Sequence, residues 1–287
     1  MQELEVPVRG GTLRAVRWPG DGPVVLAAHG ITANALSFAA VADALAGRVQ
    51  LVALDLRGRA RSGDLPGPYG MAAHVADVIA TADHLGLGSV TLAGHSMGGF
   101  VVAATAAAHP GRVRGVLLID GGVTIPAPPG ADVDEVLTAV VGPAIRRLSM
   151  TFPDERAYLN FFRAHPALRD NWSPALAAYV ARDLTGTPPS LRSSCSLEAV
   201  RADATDTLID RTTVDAVHHL RCPAHLLWAE RGLQDQTPGL YVASSLAGLP
   251  FPTEFVPDVN HYTILFDPRA VALVAERVVE LAGHRPR

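Results

Sequence analysis

The amino-acid sequence predicts an α/β protein with a mostly parallel central sheet, helices on both faces and an inserted helical lid. Two observations lead to this prediction. Short, continuous apolar runs alternate with segments of helical apolar spacing, which is the pattern of βαβ units whose strands are covered on both faces. A stretch of about a hundred residues without strand-like runs then interrupts the alternation before it resumes.

The predicted elements follow in order along the chain. Residues 12–18 are interpreted as an early hairpin strand next to a turn at Gly10 and Gly11. The buried strands are predicted at 24–28, 49–54, 90–93, 113–119, 224–229 and 253–256. The helices of the predicted core have apolar residues at helical spacing and lie at 37–45, 74–85, 99–108 and 268–281.

The interruption has proline-rich joints and short amphipathic helices, of which 157–163 and 174–180 are the clearest. Because it stands between two predicted strands, we expect a lid over the carboxyl edge of the sheet, where open α/β sheets bind ligands. The predicted organisation is a first part of the core at 1–122, the lid at 123–220 and a second part of the core at 221–287.

Composition narrows the class of protein and of partner. The chain has 287 residues, of which 48% are hydrophobic, enough for one large core. Its formal net charge of -4 gives no basic surface for nucleic acid. The N-terminus resembles no secretory signal and no apolar run is long enough to cross a bilayer, so we expect a cytoplasmic protein without a membrane partner. Cys195 and Cys222 are expected to be free thiols, and the oligomeric state, monomer or homodimer, is left open.

The most informative segment is Gly94-His95-Ser96-Met97-Gly98, which follows an apolar run and precedes a predicted helix. This is the G-x-S-x-G pattern of a nucleophile elbow, a sharp strand-to-helix turn with a serine at its apex. The glycines on either side let strand and helix approach each other without Cβ clashes. The serine hydroxyl is then presented beside the free N–H groups of a helix N-terminus, which predicts a nucleophile.

A serine needs a base to take its proton, and His261 is the candidate. It lies in a loop after the last predicted strand and before the C-terminal helix. His29 and His95 are expected to pack and orient their loops instead. His218 and His219, at the end of the predicted lid, are interpreted as a solvated helix end.

Three segments together resemble the lid-bearing serine hydrolases of the α/β-hydrolase superfamily. They are His29-Gly30-Ile31-Thr32, similar to an H-G-x oxyanion loop, Asp55 to Gly63, similar to the loop D-x-R-G-x-G-x-S, and Gly94 to Gly99, read as G-H-S-M-G-G. The resemblance covers nearly the whole chain outside the lid. Arg59 and Ala60 depart from it, since the family often has histidine and glycine there.

The resemblance implies an oxyanion hole made by the backbone N–H groups of Ile31 and Met97. It also implies a triad acid just after the strand that follows the lid. In the commonest spacing that position falls on Gly232, which has no carboxylate, so Asp235 in the same loop is the first choice. Asp120, at the end of the strand before the lid, is the alternative acid, because some branches of the superfamily have it there. The remaining candidates are Glu230 and Asp258.

The resemblance therefore implies a serine hydrolase that cleaves an ester or lactone of a small to medium, largely apolar substrate through an acyl-enzyme, without metal or organic cofactor. A thioesterase or acyltransferase and a C–C bond hydrolase are alternatives with the same triad. A ligand-binding receptor on a hydrolase fold is an alternative of another class. The lid aromatics Phe161, Phe162 and Trp172 are candidate substrate-binding residues, although such aromatics also hold lid helices to one another.

Overall fold

An eight-stranded sheet lies at the centre of the protein, in the strand order β1-β2-β4-β3-β5-β6-β9-β10. The computed structural model describes residues 1–124, 142 and 145–283. The strands are β1 (Gln2–Val8), β2 (Gly11–Trp18), β3 (Val24–Ala28), β4 (Gln50–Leu54), β5 (Val90–His95), β6 (Val113–Ile119), β7 (Leu184–Thr185), β8 (Arg192–Ser193), β9 (Ala224–Arg231) and β10 (Thr253–Asn260). Strands β7 and β8 form a separate two-stranded sheet.

From β4 to β10 the neighbouring strands of this sheet run parallel, whereas β1 with β2 and β2 with β4 are antiparallel. The predicted mostly parallel α/β sheet is confirmed. The central strands read as continuous apolar runs because both of their faces are covered. In β5, for example, all six residues are buried. Because these strands run parallel, the carboxyl ends of β3, β5, β6 and β10 lie at the same edge of the sheet.

The helices are α1 (Ala39–Leu45), α2 (Met71–His84), α3 (Met97–Ala108), α4 (Glu155–Arg163), α5 (Pro174–Arg182), α6 (Leu197–Ile209), α7 (Arg211–Val214), α8 (Ala243–Leu246) and α9 (Pro268–Leu281). Two apolar layers result, one on each face of the sheet. Helices α1 and α9 belong to the first layer, through residues such as Leu45 and Val274. Helices α2 and α3 belong to the second, through residues such as Val78 and Val102.

Local sequence explains how these helices begin. Asp267 caps α9 by accepting from the backbone N–H groups of Arg269 and Ala270, and Pro268 occupies the first turn, where a missing N–H costs nothing. The apolar residues of α9 then recur every three or four positions and face the sheet. The C-terminal helix is thus specified by its cap and its periodicity.

The segment between β6 and β9 contains α4 to α7 and the small ribbon β7–β8. The ribbon was not predicted, because two-residue strands are too short to show an alternating pattern. Arg182 of α5 joins this segment to the core: its guanidinium lies 2.7 Å from Asp55 and 2.6 Å from Glu3. The division at 122 and 220 stays a prediction, and the predicted lid residues 125–141 lie outside the described residues.

Within 1–124, 142 and 145–283, no helix is both long and apolar enough to cross a bilayer. In the same part of the chain, no three side chains of His, Cys, Asp or Glu come together as a metal site would require. Both cysteines, Cys195 and Cys222, are free thiols, as the sequence predicted.

Candidate active site

Ser96 forms the turn between β5 and α3 and has a strained backbone, with φ of 57° and ψ of -123°. The turn is held in place because Ser96 N–H donates to Ile119 O at 3.0 Å. It is also packed against the neighbouring strand: a Cβ on Gly98 would lie 2.0 Å from Ala28 O. The half-buried Ser96 side chain therefore stands at the carboxyl edge of the sheet, beside the N-terminus of α3.

His261 follows β10 immediately and is nearly buried, with 3% exposure. Its Nε2 lies 3.0 Å from Ser96 Oγ, and its Nδ1 lies 2.6 Å from Asp120 Oδ2. A carboxylate only accepts, so Nδ1 carries the proton and donates to it. The lone pair of Nε2 is then directed at the serine hydroxyl, which is the tautomer that a general base needs.

Asp120 ends β6 in a left-handed conformation with φ of 42° and is fully buried. Its second carboxylate oxygen, Oδ1, accepts from Ala229 N–H at 3.0 Å, so both oxygens have a donor. The residue after it has no room for a side chain, since a Cβ on Gly121 would lie 2.1 Å from Ser96 O. The turn that presents the carboxylate is thus packed directly against the serine turn.

The first choice of acid from the sequence, Asp235, is corrected by these contacts. Its Oδ1 accepts from Arg231 Nε at 2.7 Å and from Asn260 Nδ2 at 2.8 Å. Although burial opposes ionisation, these hydrogen bonds leave the Asp235 carboxyl with a lowered pKa. Among the residues that the structure describes, Asp235 makes no hydrogen bond with His261. The loop after β9 instead directs it at Asn260, the residue before the histidine.

The two further candidates for the acid also lie elsewhere. Glu230 Oε2 accepts from Asp258 N–H at 2.8 Å, which ties the ends of β9 and β10 together. Asp258 itself is largely exposed, with Arg269 as a distant ion-pair partner at 3.8 Å. Among the described residues, neither carboxylate is hydrogen-bonded to His261.

His95 and His29 support the loops that carry the site, as the sequence predicted. His95 Nε2 donates to His261 O at 2.7 Å, and burial, followed by the charge of His261, holds the pKa of His95 well below its usual range. His29 Nδ1 donates to Gly30 O at 2.7 Å while its Nε2 accepts from Leu56 N–H at 3.0 Å. Burial lowers the pKa of His29 to about 3, so both rings remain neutral.

The two residues expected to form an oxyanion hole lie on either side of Ser96. Met97 is the first residue of α3, so its N–H has no partner within the helix. Ile31 lies in a turn closed by a hydrogen bond from Ala33 N–H to Gly30 O at 3.0 Å. A Cβ on Gly30 would lie only 3.5 Å from Ser96 Oγ, so this turn passes directly over the serine. Their role as donors stays a prediction.

The aromatic residues predicted to bind substrate contact other parts of the segment between β6 and β9. Phe162 packs on Tyr158 with ring centroids 5.1 Å apart and lies under the guanidinium of Arg147. Phe161 packs edge-on against Phe162 and is 38% exposed. The guanidinium carbon of Arg163 lies 4.9 Å from the ring centre of Trp172. These contacts hold the segment together, and contact with a substrate stays a prediction.

Sequence reasoning missed three residues near the histidine: Asn260, Tyr262 and His165. Tyr262 packs edge-on against His261 with centroids 5.4 Å apart, and His165 packs edge-on against Tyr262 at 5.6 Å. Asn260 Nδ2 also donates to Ala167 O at 3.0 Å, which links the histidine loop to the segment between β6 and β9. Asn260 and Tyr262 flank His261 in the sequence, which was the available signal. No pattern in the sequence pointed to His165.

A sequence model of the α/β-hydrolase fold family matches residues 23–141, which include the oxyanion-type loop, the serine turn and Asp120. The chain has the α/β-hydrolase fold. Over nearly its full length the chain superimposes on the crystal structure of the hypothetical protein PA1622 from Pseudomonas aeruginosa PAO1. That comparison has a TM-score of 0.76 and 26% identity, and covers 98% of this chain and 100% of the other.

Two curated relatives match shorter parts of the chain. N-formylmaleamate deformylase from Pseudomonas putida is 34% identical over 170 residues, or 53% of this chain and 63% of the relative. Lipase LipV from Mycobacterium tuberculosis is 34% identical over 130 residues, or 45% of this chain and 48% of the relative. The match thus spans about half to just under two thirds of these relatives. Hydrolase chemistry is common to both names, whereas their substrates differ.

Proposed function

We propose that this protein is a serine hydrolase that cleaves an ester or lactone of a small to medium, largely apolar substrate through an acyl-enzyme. The observation that carries the proposal is the hydrogen-bonded series Ser96, His261 and Asp120, with 3.0 Å and 2.6 Å between the bonded atoms. Each member has the partner that its role needs: a nucleophile next to a base, and a base next to an orienting carboxylate.

In the proposed mechanism, His261 Nε2 takes the Ser96 proton as Oγ attacks the carbonyl carbon of the substrate. The imidazolium then returns that proton to the leaving alcohol, and the acyl group remains on Ser96 Oγ. A water molecule repeats the sequence and releases the carboxylic acid. Asp120, which is fully buried, keeps the imidazole in the required tautomer and stabilises its positive charge.

The negative charge on the carbonyl oxygen needs donors that are in place before the reaction. We infer that the backbone N–H groups of Ile31 and Met97 supply them, since both residues adjoin Ser96 and their loops are packed. One such donor is typically worth about a hundredfold or more in rate. Because the donors are backbone groups, the two side chains remain available to shape the pocket for the acyl group.

A second candidate substrate class is an N-formyl amide. It is favoured by the relative named N-formylmaleamate deformylase, which matches 53% of this chain. The same three residues would serve it, with the formyl group carried on Ser96 and an amine or amide as the leaving group. The two classes differ in the leaving group and in the acyl size, so a substrate series separates them.

The test is hydrolysis of p-nitrophenyl esters from acetate to decanoate, alongside an N-formyl amide, by the wild type, Ser96→Ala and Ser89→Ala. Ser89 precedes β5 and Ser96 follows it, so the two serines flank the same strand. We expect the wild type and Ser89→Ala to show the same preference for acyl size. Ser96→Ala is expected to lose at least about 10³-fold in kcat while remaining folded.

Appreciable activity in Ser96→Ala would contradict the proposal. Labelling by a fluorophosphonate on Ser96 without turnover of any substrate would favour the receptor alternative. Activity on thioesters or diketones alone would change the proposed substrate class and keep the same three residues in their roles. Faster turnover of the N-formyl amide than of every ester would establish the second candidate.

A further inference from the structure

Arg59, a position where the chain departs from its family's pattern, is completely buried. Its guanidinium donates from Nε to Ile31 O at 2.9 Å and from Nη1 to Arg57 O at 2.8 Å. A third, longer contact runs from Nη2 to Met97 Sδ at 3.8 Å. A single side chain therefore contacts both residues whose backbone N–H groups are the proposed oxyanion donors.

The charge of Arg59 is balanced by Asp203 of α6, in the segment between β6 and β9. Asp203 Oδ2 lies 2.5 Å from Arg59 Nη1 and 2.9 Å from His74 Nε2, and its Oδ1 accepts from Gly70 N–H at 2.8 Å. Burial disfavours a carboxylate here, but the charges of His74 and Arg59 outweigh it and lower the pKa of Asp203 to about 2. Arg59 is thus part of a fully buried ion pair.

We propose that Arg59 is a positioning residue that holds the oxyanion-hole loop in its working geometry, and that Asp203 anchors it from the segment between β6 and β9. The inference rests on the proposed serine-hydrolase function. A charged donor on Ile31 O restrains the backbone of Ile31, and with it the direction of the Ile31 N–H. An oxyanion hole depends on such preorganisation, because donors that had to reorient during the reaction would raise its activation free energy.

The guanidinium is suited to this task by its shape. Its donors form a planar fork that reaches Ile31 O, Arg57 O and Asp203 at once, which the single ammonium group of a lysine cannot do.

The ion pair between Arg59 and Asp203 also couples the oxyanion-hole loop to α6. A displacement of α6 moves Asp203, and the loss of Asp203 leaves Arg59 free to withdraw from Ile31.

The test compares Arg59→Lys with the matched control Arg57→Lys. Arg57 lies in the same loop and is also a buried arginine paired with a carboxylate, at 2.7 Å from Asp77. Its guanidinium donates to Asp77, Pro66 O and Arg9 O, and not to Ile31 or Met97. For Arg59→Lys we expect kcat on the preferred ester to fall about 10²-fold with KM within about threefold of the wild type. Arg57→Lys is expected to keep its kcat within about threefold.

A second readout reports on the oxyanion hole itself. A thionoester presents sulfur where the ester presents oxygen, so a well-organised hole discriminates strongly between the two. We expect this discrimination to fall in Arg59→Lys and to persist in Arg57→Lys. Equal losses in both variants, or an unchanged ester-to-thionoester ratio in Arg59→Lys, would overturn the inference.

If Arg59→Lys does not fold, Asp203→Asn takes its place. It keeps the size of the anchor and removes its charge, and we expect about a tenfold loss of kcat with the same fall in discrimination; an unchanged kcat and ratio would overturn the inference. If the wild type hydrolyses none of the substrates, the proposed function fails on its own. Hydrogen exchange at the Ile31 amide then decides: faster exchange in Arg59→Lys than in Arg57→Lys supports the inference, and equal exchange overturns it.

Discussion

Two aspartates flank the histidine loop, and their surroundings separate their roles. Asp120 has no exposure and one of its oxygens faces the ring of His261. The side chain of Asp235 is 34% exposed and binds Arg231 and the side chain of Asn260. A carboxylate that orients an imidazole must contact it, and of these two aspartates it is Asp120 that does so, which makes it the acid of the proposed mechanism. Asp235 accepts a hydrogen bond from Asn260, the residue before the histidine, and so supports the histidine loop.

Exchange of each aspartate for asparagine tests this assignment. For Asp120→Asn we expect kcat to fall by about 10⁴-fold, because the amide favours the wrong tautomer of His261. For Asp235→Asn we expect a loss of about tenfold or less, because an amide oxygen still accepts from Arg231 and Asn260. Steady-state kinetics on the preferred ester, with thermal unfolding as a control for folding, measures both. The reverse order of losses would return the role of the acid to Asp235.

At the scale of secondary-structure elements, the site depends on how closely β5, α3 and the neighbouring strands approach. Ser96 keeps its positive φ because the residues around it leave no alternative. Gly98, in the first turn of α3, lies against the end of β3, and a Cβ there would lie 2.0 Å from Ala28 O. The strand-turn-helix unit is therefore a packed junction and cannot relax without displacing β3.

Gly98→Ala tests the packing of this junction. We expect a loss of about 3 kcal/mol or more in the free energy of unfolding, together with loss of activity, since backbone must move to admit the methyl group. Gly88→Ala is the control, because a Cβ at Gly88 has nothing within 4 Å. Urea denaturation of the two variants and the wild type is the measurement. Equal midpoints for both variants would show that the junction tolerates expansion.

At the scale of the whole molecule, two neutral buried histidines link the stability of the fold to pH. Burial lowers the pKa of His29 to about 3 and holds that of His95 well below its usual range. In the unfolded chain both titrate near the ordinary histidine value of about 6.5. Below that pH the unfolded state binds more protons than the folded state. Stability is therefore fully present above about pH 6.5 and falls as the pH is lowered.

We expect each of these histidines to remove about 1.4 kcal/mol of stability per pH unit on the acid side of about pH 6. Urea denaturation between about pH 7.5 and about pH 5 gives the slope of the wild type. His29→Gln should reduce that slope by about 1.4 kcal/mol per pH unit. His84→Gln, at an exposed residue of α2, should leave it unchanged. Equal slopes for the wild type and His29→Gln would contradict the assignment of a neutral His29.

Most of the fold was predictable because its signals are local. Continuous apolar runs marked the buried strands, and the observed bounds of β3 and β6 agree with the predicted ones to the residue. The helical spacing of apolar residues over 268–281 marked α9. The ribbon β7–β8 was missed, because two residues cannot display a period of two. Its strands form through pairing with each other, which is not a local property.

For the site, the sequence by itself pointed to Ser96 and His261, because a strained turn needs glycines at fixed spacing and the base was expected in the loop after the last strand. The structure places the two side chains 3.0 Å apart. Only the tertiary structure shows which of Asp120 and Asp235 contacts His261. Both follow the carboxyl end of a strand, and the choice depends on which way the His261 ring faces when β6 and β10 are brought together. The same holds for Arg59 and Asp203, whose pairing joins residues 144 positions apart through packing that no local pattern records.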